Sequence, residues 1–213
     1  KLLGEVDEWV KIIFLCSPNN PTGNSLDRDE IYKILNNFEG IVVLDEAYID
    51  FSTEPSFVPE LKKFPNLVVL QTLSKAWGAA GIRLGMAFAS PEIVAILNKI
   101  KYPYNVNILT QERALAILNN ESEMLGQLRR IMSERIRLQA ALPELPIVHK
   151  MYPTDTNFIL VYVGKADSVY NKLVKKGVIV RNRNNVTLCH GCLRITVGTP
   201  EENDALLKAL KSI

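Results

Sequence analysis

Residues 71–83, QTLSKAWGAAGIR, place one amine, Lys75, among small and apolar neighbours, with hydroxyls at Thr72 and Ser74 before it and one guanidinium, Arg83, after it. An ordinary surface loop would mix charges with turn formers. A single amine beside two hydroxyls and Gly78, Ala79 and Ala80 suits a nucleophile that attacks a carbonyl while an anion is held close by. Two further stretches are unusual in the same way: SPNNPTG (17–23) carries the amide Asn20, and LDEAYIDF (44–51) carries the carboxylate Asp45 and the phenol Tyr48. Each residue alone also has a plain reading. Lys75 could be a solvated loop lysine, Tyr48 a half-buried core aromatic, Thr72 and Ser74 capping hydroxyls, and Arg83 a surface salt-bridge partner.

The elements around them argue for joint placement. Segments 11–16 (KIIFLC), 41–44 (IVVL) and 67–70 (LVVL) are continuous apolar runs, the pattern of strands buried on both faces of a parallel sheet. A helix is predicted over 27–37, opened by Asp27 and Glu30 as a variant capping box, so the first half reads strand, helix, strand. A fourth strand is expected at 84–89, then a helix from Ser90-Pro91 to about 101. Residues 110–142 carry apolar residues at helical spacing (Leu115, Leu118, Leu125, Leu128, Ile131, Ile136), read as two helices broken near Asn119-Asn120, with the stripe assigned to core and interdomain packing. Strands follow at 157–163, 178–181 and 192–197, with a helix over 167–176 ended by Gly177 and a last helix opened by the capping box Thr199-Pro200-Glu201-Glu202.

The three polar clusters all follow the carboxyl ends of predicted parallel strands, where open α/β sheets place ligands, and are expected to converge. An amine, a carboxylate, a phenol and an amide together match the needs of pyridoxal 5'-phosphate: a Schiff-base lysine, an acid for the protonated ring nitrogen, and donors for the ring hydroxyl. Hydroxyls and an arginine fork suit its phosphate.

The ordered set SPNNPTG, LDEAYIDF, TLSKAWGAAGIRLG and CLRITVGTPEEN resembles the fold type I aminotransferases over essentially the whole chain, most closely the members that act on histidinol phosphate. The resemblance implies that Asn20 and Tyr48 bond the ring hydroxyl, Asp45 the ring nitrogen, Lys75 the aldehyde carbon, and Thr72, Ser74 and Arg83 the phosphate. It implies that Arg194 clamps a substrate α-carboxylate and that Arg181 meets a substrate phosphate. An arginine on a strand offers a planar two-donor fork that lysine cannot copy, and buried without an anion it would be costly.

The fold so implied is α/β: residues 1–105 as part of the cofactor-binding large domain, a mostly parallel sheet with helices, and 106–213 as linking helices and a small α+β domain. The reaction implied is transamination of L-histidinol phosphate with 2-oxoglutarate, giving imidazole acetol phosphate and glutamate in histidine biosynthesis, by a homodimer. Family members carry an N-terminal arm, a glycine- or serine-bearing phosphate turn and a ring-stacking aromatic ahead of the segment matched here. With Lys1 in place of an initiating methionine, the chain is expected to be the C-terminal part of the enzyme and inactive alone. A threonine-phosphate decarboxylase, an aromatic amino acid aminotransferase and a non-catalytic binding module stay open as alternatives.

Composition sets the outer limits. The chain has 213 residues, 47% hydrophobic and 23% charged, with a formal net charge of +2, and no basic run or apolar span argues for nucleic acid or a membrane. Three cysteines, an odd count, and no signal peptide lead to the expectation of a cytoplasmic protein. Cys189-His190-Gly191-Cys192 lacks a second ligand pair for structural zinc, and no metal is expected. Asp45-Glu46 resembles a nucleotide hydrolase's acidic pair, but no GxxxxGK[ST] loop accompanies it.

Overall fold

Strands β1 (Ile12–Cys16), β2 (Ile41–Asp45) and β3 (Leu67–Thr72) pair in parallel, and β4 (Gly85–Ala89) adds antiparallel to β3, giving the order β1-β2-β3-β4 in a computed structural model that describes residues 2–213. The connection from β3 folds into the Lys75 turn and a short 3-10 turn at Ala80–Ile82 and holds no α-helix to carry the chain across the sheet, so β4 returns antiparallel. The described chain forms two compact units, one containing Ser25–Leu125 with the residues up to Pro18, the other Asn19–Asn24 with Gly126–Ile213.

In the first unit, helix α1 (Arg28–Asn37) starts where the Asp27 carboxylate accepts the N–H groups of Asp29 and Glu30, and ends at Phe38. It lays Ile31 and Leu35 on the sheet face made by Ile13, Leu15, Val42, Leu44, Leu67 and Val69. The expectation of strands buried on both faces holds in β2, where Val42, Val43 and Leu44 are all buried. It fails in β1. Ile12 and Phe14 are 48% and 69% exposed, because β1 is an edge strand whose inward face alone packs on the core.

Helix α2 (Pro91–Ile100) is capped by Ser90, whose hydroxyl accepts the Ile93 N–H, and α3 (Ile108–Leu118) by Asn107. Ala114 and Ile117 of α3 pack against Leu73, Ala79 and Trp77, so this helix supports the loop that carries Lys75. Of the predicted stripe, Leu115, Leu118, Leu125 and Ile136 are exposed, Leu128 is half-buried, and Ile131 packs on the core of the second unit as expected. The break between α3 and α4 (Glu121–Ala141) resets the helical phase, and these helices bury Ala114, Met124 and Leu138 instead.

The second unit holds an antiparallel sheet of β5 (Lys150–Met151), β6 (Phe158–Tyr162), β7 (Arg181–Asn182) and β8 (Cys192–Thr196) in the order β5-β6-β8-β7. Ile159, Val161, Leu193 and Ile195 face a core closed by Leu138, by Val169 and Leu173 of α5 (Ala166–Lys175), and by Leu206 and Leu210 of α6 (Pro200–Lys211). The strand expected at 178–181 shrinks to Arg181–Asn182. Gly177, at φ +77°, closes α5 with its N–H on Val174 O while Val178 N–H bonds Leu173 O, so the start of that segment serves as a helix cap. The two-residue β5 was too short to show a period. Thr199 and Glu202 form the expected capping box.

One charged network joins α4 to α6. Arg137 Nη2 and Asn203 Nδ2 both donate to Glu134 Oε2 at 2.7 Å, and Arg137 Nη1 donates to Asp204 at 2.6 Å. The Arg137 and Asn203 bonds hold the Glu134 carboxyl below its usual 4.5. A carboxylate held low stabilises the fold above its unfolded value, and that contribution fades as pH falls through the folded value. Glu134→Gln is therefore expected to unfold with a midpoint that falls less steeply below about pH 4.5 than the parent's, measured by urea titration at several pH values.

Candidate active site

Asp45 is the last residue of β2 and is paired in register with Cys16 of β1 and Leu70 of β3. The ladder runs one step beyond it, with Ser17 N–H on Asp45 O at 3.0 Å and Glu46 N–H on Leu70 O at 2.8 Å. Strand alternation then sends successive acids to opposite faces. Asp45 is half-buried on the face away from α1, and its Oδ1 accepts the Ala47 N–H at 2.9 Å. Glu46 is buried, accepting the Ser56 hydroxyl at 2.5 Å, the Phe57 N–H at 2.7 Å and the Gln71 amide at 2.9 Å. Glu46 thus ties the end of β2 to the end of β3. Asp45 makes no such side-chain tie among the described residues.

The Lys75 loop is shaped by its own backbone. Gly78 N–H returns to Lys75 O at 3.0 Å and Ala79 N–H to Leu73 O at 2.9 Å, with Gly78 at φ +64°. A residue with a side chain is strained at that φ, which gives Gly78 its place. Leu73, Ala76 and Ala79 point inward and Lys75 outward. The Lys75 Nζ lies 5.1 Å from the centre of the buried Tyr48 ring and has no ion pair among the described residues. Thr72 Oγ1 sits 2.9 Å from Ser74 Oγ and accepts the Ser74 N–H at 3.1 Å. Arg83, left-handed at φ +56° and exposed, donates from Nη1 to Ala80 O.

The first unit holds Asp45, Tyr48, Thr72, Ser74, Lys75 and Arg83, with Lys75 beside Tyr48 and Thr72 bonded to Ser74. Asn20, Arg181 and Arg194 lie in the second. There Arg194 Nη1 donates to Asn20 Oδ1 at 2.7 Å, and the guanidinium stacks 4.7 Å from the Phe158 ring centre. Asn20 belongs to a tight loop closed by Gly23 N–H on Asn19 O and Asp155 N–H on Gly23 O. Gly23 has φ +86°, and a Cβ there would sit 2.6 Å from Thr154 Oγ1, so only glycine fits the close approach. Arg181 is exposed and pairs across the ladder with Arg194.

The donor set of the first unit fits pyridoxal 5'-phosphate in kind. It holds an amine without an ion pair, a carboxylate with its Oδ1 fixed by a backbone N–H, a phenol beside the amine, and hydroxyls with a guanidinium for a phosphate. Cys189 and Cys192 are buried with Leu160, and burial first, then the neighbouring Cys189, pushes the Cys192 thiol up. The sequence reading took Glu46 only as half of an acidic pair with Asp45, without its structural role, and did not single out Arg183. The alternation of acids at the end of β2 could have flagged Glu46, whereas Arg183 had no motif to mark it.

The class I and II aminotransferase family matches residues 1–210, and the chain belongs to it. It is 68% identical to the histidinol-phosphate aminotransferase of Parabacteroides distasonis over 212 residues, covering 100% of this chain and 61% of that protein. It is 58% identical to the enzyme of the same name from Bacteroides thetaiotaomicron, over 99% of this chain and 61% of that one. The chain thus spans about 61% of the length of these curated relatives. Among solved structures, the histidinol-phosphate aminotransferase from Clostridium acetobutylicum superposes with a TM-score of 0.89 at 25% identity, covering 95% of this chain and 64% of that one. The L-threonine-O-3-phosphate decarboxylase from Porphyromonas gingivalis gives 0.86 at 29% identity, covering 99% and 66%. The fold is that of a partial fold type I large domain with a small α+β domain.

Proposed function

We propose that this protein transfers an amino group from L-histidinol phosphate to 2-oxoglutarate, giving imidazole acetol phosphate and glutamate in histidine biosynthesis, with pyridoxal 5'-phosphate as cofactor. The observation that carries this reading is the Lys75 amine beside Tyr48, which lies three residues after Asp45 at the end of β2, in a chain 68% identical to a relative named histidinol-phosphate aminotransferase. Bound, the cofactor supplies an electron sink for the carbanion left when the substrate carbon loses its proton.

The residues divide the work. Lys75 would hold the cofactor through its amine and would move a proton to and from the substrate carbon. Asp45 keeps the ring nitrogen protonated, and Tyr48 and Asn20 orient the ring hydroxyl. Thr72, Ser74 and Arg83 take the cofactor phosphate. Arg194 takes the carboxylate of the amino-acid partner, and Arg181 the substrate phosphate. In this reading residues 1–105 belong to the cofactor-binding large domain and 106–213 to the linking helices and small domain, the enzyme is a cytoplasmic homodimer, and residues 1–213 alone are inactive. No helix among the described residues is long and apolar enough to cross a membrane.

The likeness to a threonine-phosphate decarboxylase structure supports a second reading, decarboxylation of a phosphorylated amino acid. One set of assays decides. The whole protein and residues 1–213 are incubated with pyridoxal 5'-phosphate and borohydride, and mass spectrometry locates the adduct; the whole protein is then assayed with each substrate. Glutamate formed from histidinol phosphate and 2-oxoglutarate supports the proposal, and carbon dioxide from threonine phosphate supports the second reading. A whole protein with no Lys75 adduct and neither activity would leave a non-catalytic binding module.

A further inference from the structure

The second sheet turns one face toward its helices and the other away. Asn182 and Leu193, partners across β7 and β8, face the helices: Asn182 Nδ2 donates to Asp167 of α5 at 2.6 Å, and Leu193 lies in the core. Their neighbours Arg181 and Arg194 therefore face the other way, as does Lys150, whose partner Tyr162 pairs in turn with Cys192. The pairing continues past the end of β7, because Arg183 N–H donates to Cys192 O at 3.0 Å. Arg183 thus stands on the side of Arg181 and Arg194. None of the four strands contains an acidic residue.

This arrangement carries an electrostatic cost. Like charges directly opposite in an antiparallel pair destabilise it, and Arg181 and Arg194 are directly opposite. Arg194 donates to Asn20 Oδ1, whereas neither the Arg181 nor the Arg183 side chain has a hydrogen bond or ion pair among the described residues. The Arg183 Nε is also buried with no hydrogen-bond partner among the described residues, which costs free energy unless an acceptor arrives. Two guanidiniums two residues apart on one strand face suit an anion with more than one charge and several acceptor oxygens. A phosphate monoester has both.

We infer that Arg183 is a specificity-determining residue: together with Arg181 it receives the phosphate dianion of the substrate on this sheet face and sets the preference for phosphorylated amino donors. The inference rests on the proposed transamination for its substrate, but not for the anion site itself.

The test compares the parent whole protein, loaded with pyridoxal 5'-phosphate, with Arg183→Gln and Arg183→Lys. In Arg183→Gln, kcat/KM for histidinol phosphate relative to unphosphorylated histidinol is expected to fall about 10- to 100-fold, mainly through KM. Arg183→Lys restores part of it, since it keeps the charge and loses the fork. Calorimetric titration with inorganic phosphate should show about the same loss of affinity in Arg183→Gln, and titration with acetate a smaller one. Should Arg183→Gln fail to fold, Arg183→Lys is read alone and is expected to lie several-fold below the parent in both measurements. A relative kcat/KM and a phosphate affinity both within twofold of the parent overturn the inference while leaving transamination standing. If the parent shows no turnover of histidinol phosphate yet its phosphate affinity drops in the variant, the function fails and the anion site stands. A parent that binds no phosphate overturns the site.

Discussion

Lys75→Ala is expected to lower the proposed transamination by about 10⁴-fold, the upper end of what a positioned proton-transfer residue contributes, because in the proposed reaction the same side chain also holds the cofactor. Lys75 is suited to both tasks. Its loop is pinned from below by Leu73, Ala76 and Ala79, and its amine has a ring contact with Tyr48 but no ion pair among the described residues. That contact has a purely structural alternative, since an amine over an aromatic face is worth about 0.5 to 1 kcal/mol at an exposed site. Lys75→Arg separates the two. It keeps a cation near Tyr48 and so preserves stability, yet a guanidinium that never deprotonates cannot attack a carbonyl. Both variants should therefore lose turnover and the borohydride-fixed adduct, while Lys75→Arg keeps the parent's melting temperature. A Lys75→Ala protein with more than a tenth of parental turnover would remove Lys75 from the chemistry.

Asp45→Asn is the second large effect, a loss of about 10²- to 10³-fold in kcat, comparable to deleting one preorganised electrostatic group from an active site. Asparagine can keep the oxygen that accepts the Ala47 N–H, so the strand end holds its geometry and only the charge is removed. A readout independent of turnover lies next door. The thiol of Cys16, paired in register with Asp45, is pushed up first by burial and then by the Asp45 charge. Taking the charge away should bring Cys16 part of the way back and speed its alkylation at about pH 8, where the thiolate is the reacting form. Faster alkylation with unchanged turnover would show that Asp45 is ionised but not used in the reaction. Unchanged alkylation would mean that its charge does not reach the strand end.

Several site features were legible because they depend on near neighbours in the chain. Asp27, Ser90 and Thr199 cap helices through residues two or three positions away, and their side chains do what their types suggest. Continuous apolar runs marked β2 and β3 and so put Asp45 and Lys75 after strand ends. The same rule misjudged β1, because an edge strand and a central strand can share one apolar composition and differ only in what covers them. Leu115, Leu118, Leu125 and Ile136 were misread for a related reason while Ile131 of the same stripe does pack on the core, since helical spacing says which residues share a face but not whether anything packs on it.

By itself, then, the amino-acid sequence determined the strands and helices set by local pattern, the residue types able to hold an aldehyde and a phosphate, and the family that combines them. Only the tertiary structure decided that Glu46 turns inward as a buried tie while Asp45 turns to the opposite face, and that Arg181, Arg183 and Arg194 share one face of the second sheet. It alone joined Asn20 to Arg194, which lie 174 positions apart. The physical reason is register: which face a side chain takes, and which distant side chain it meets, depends on strand pairings and loop closures that no local stretch encodes.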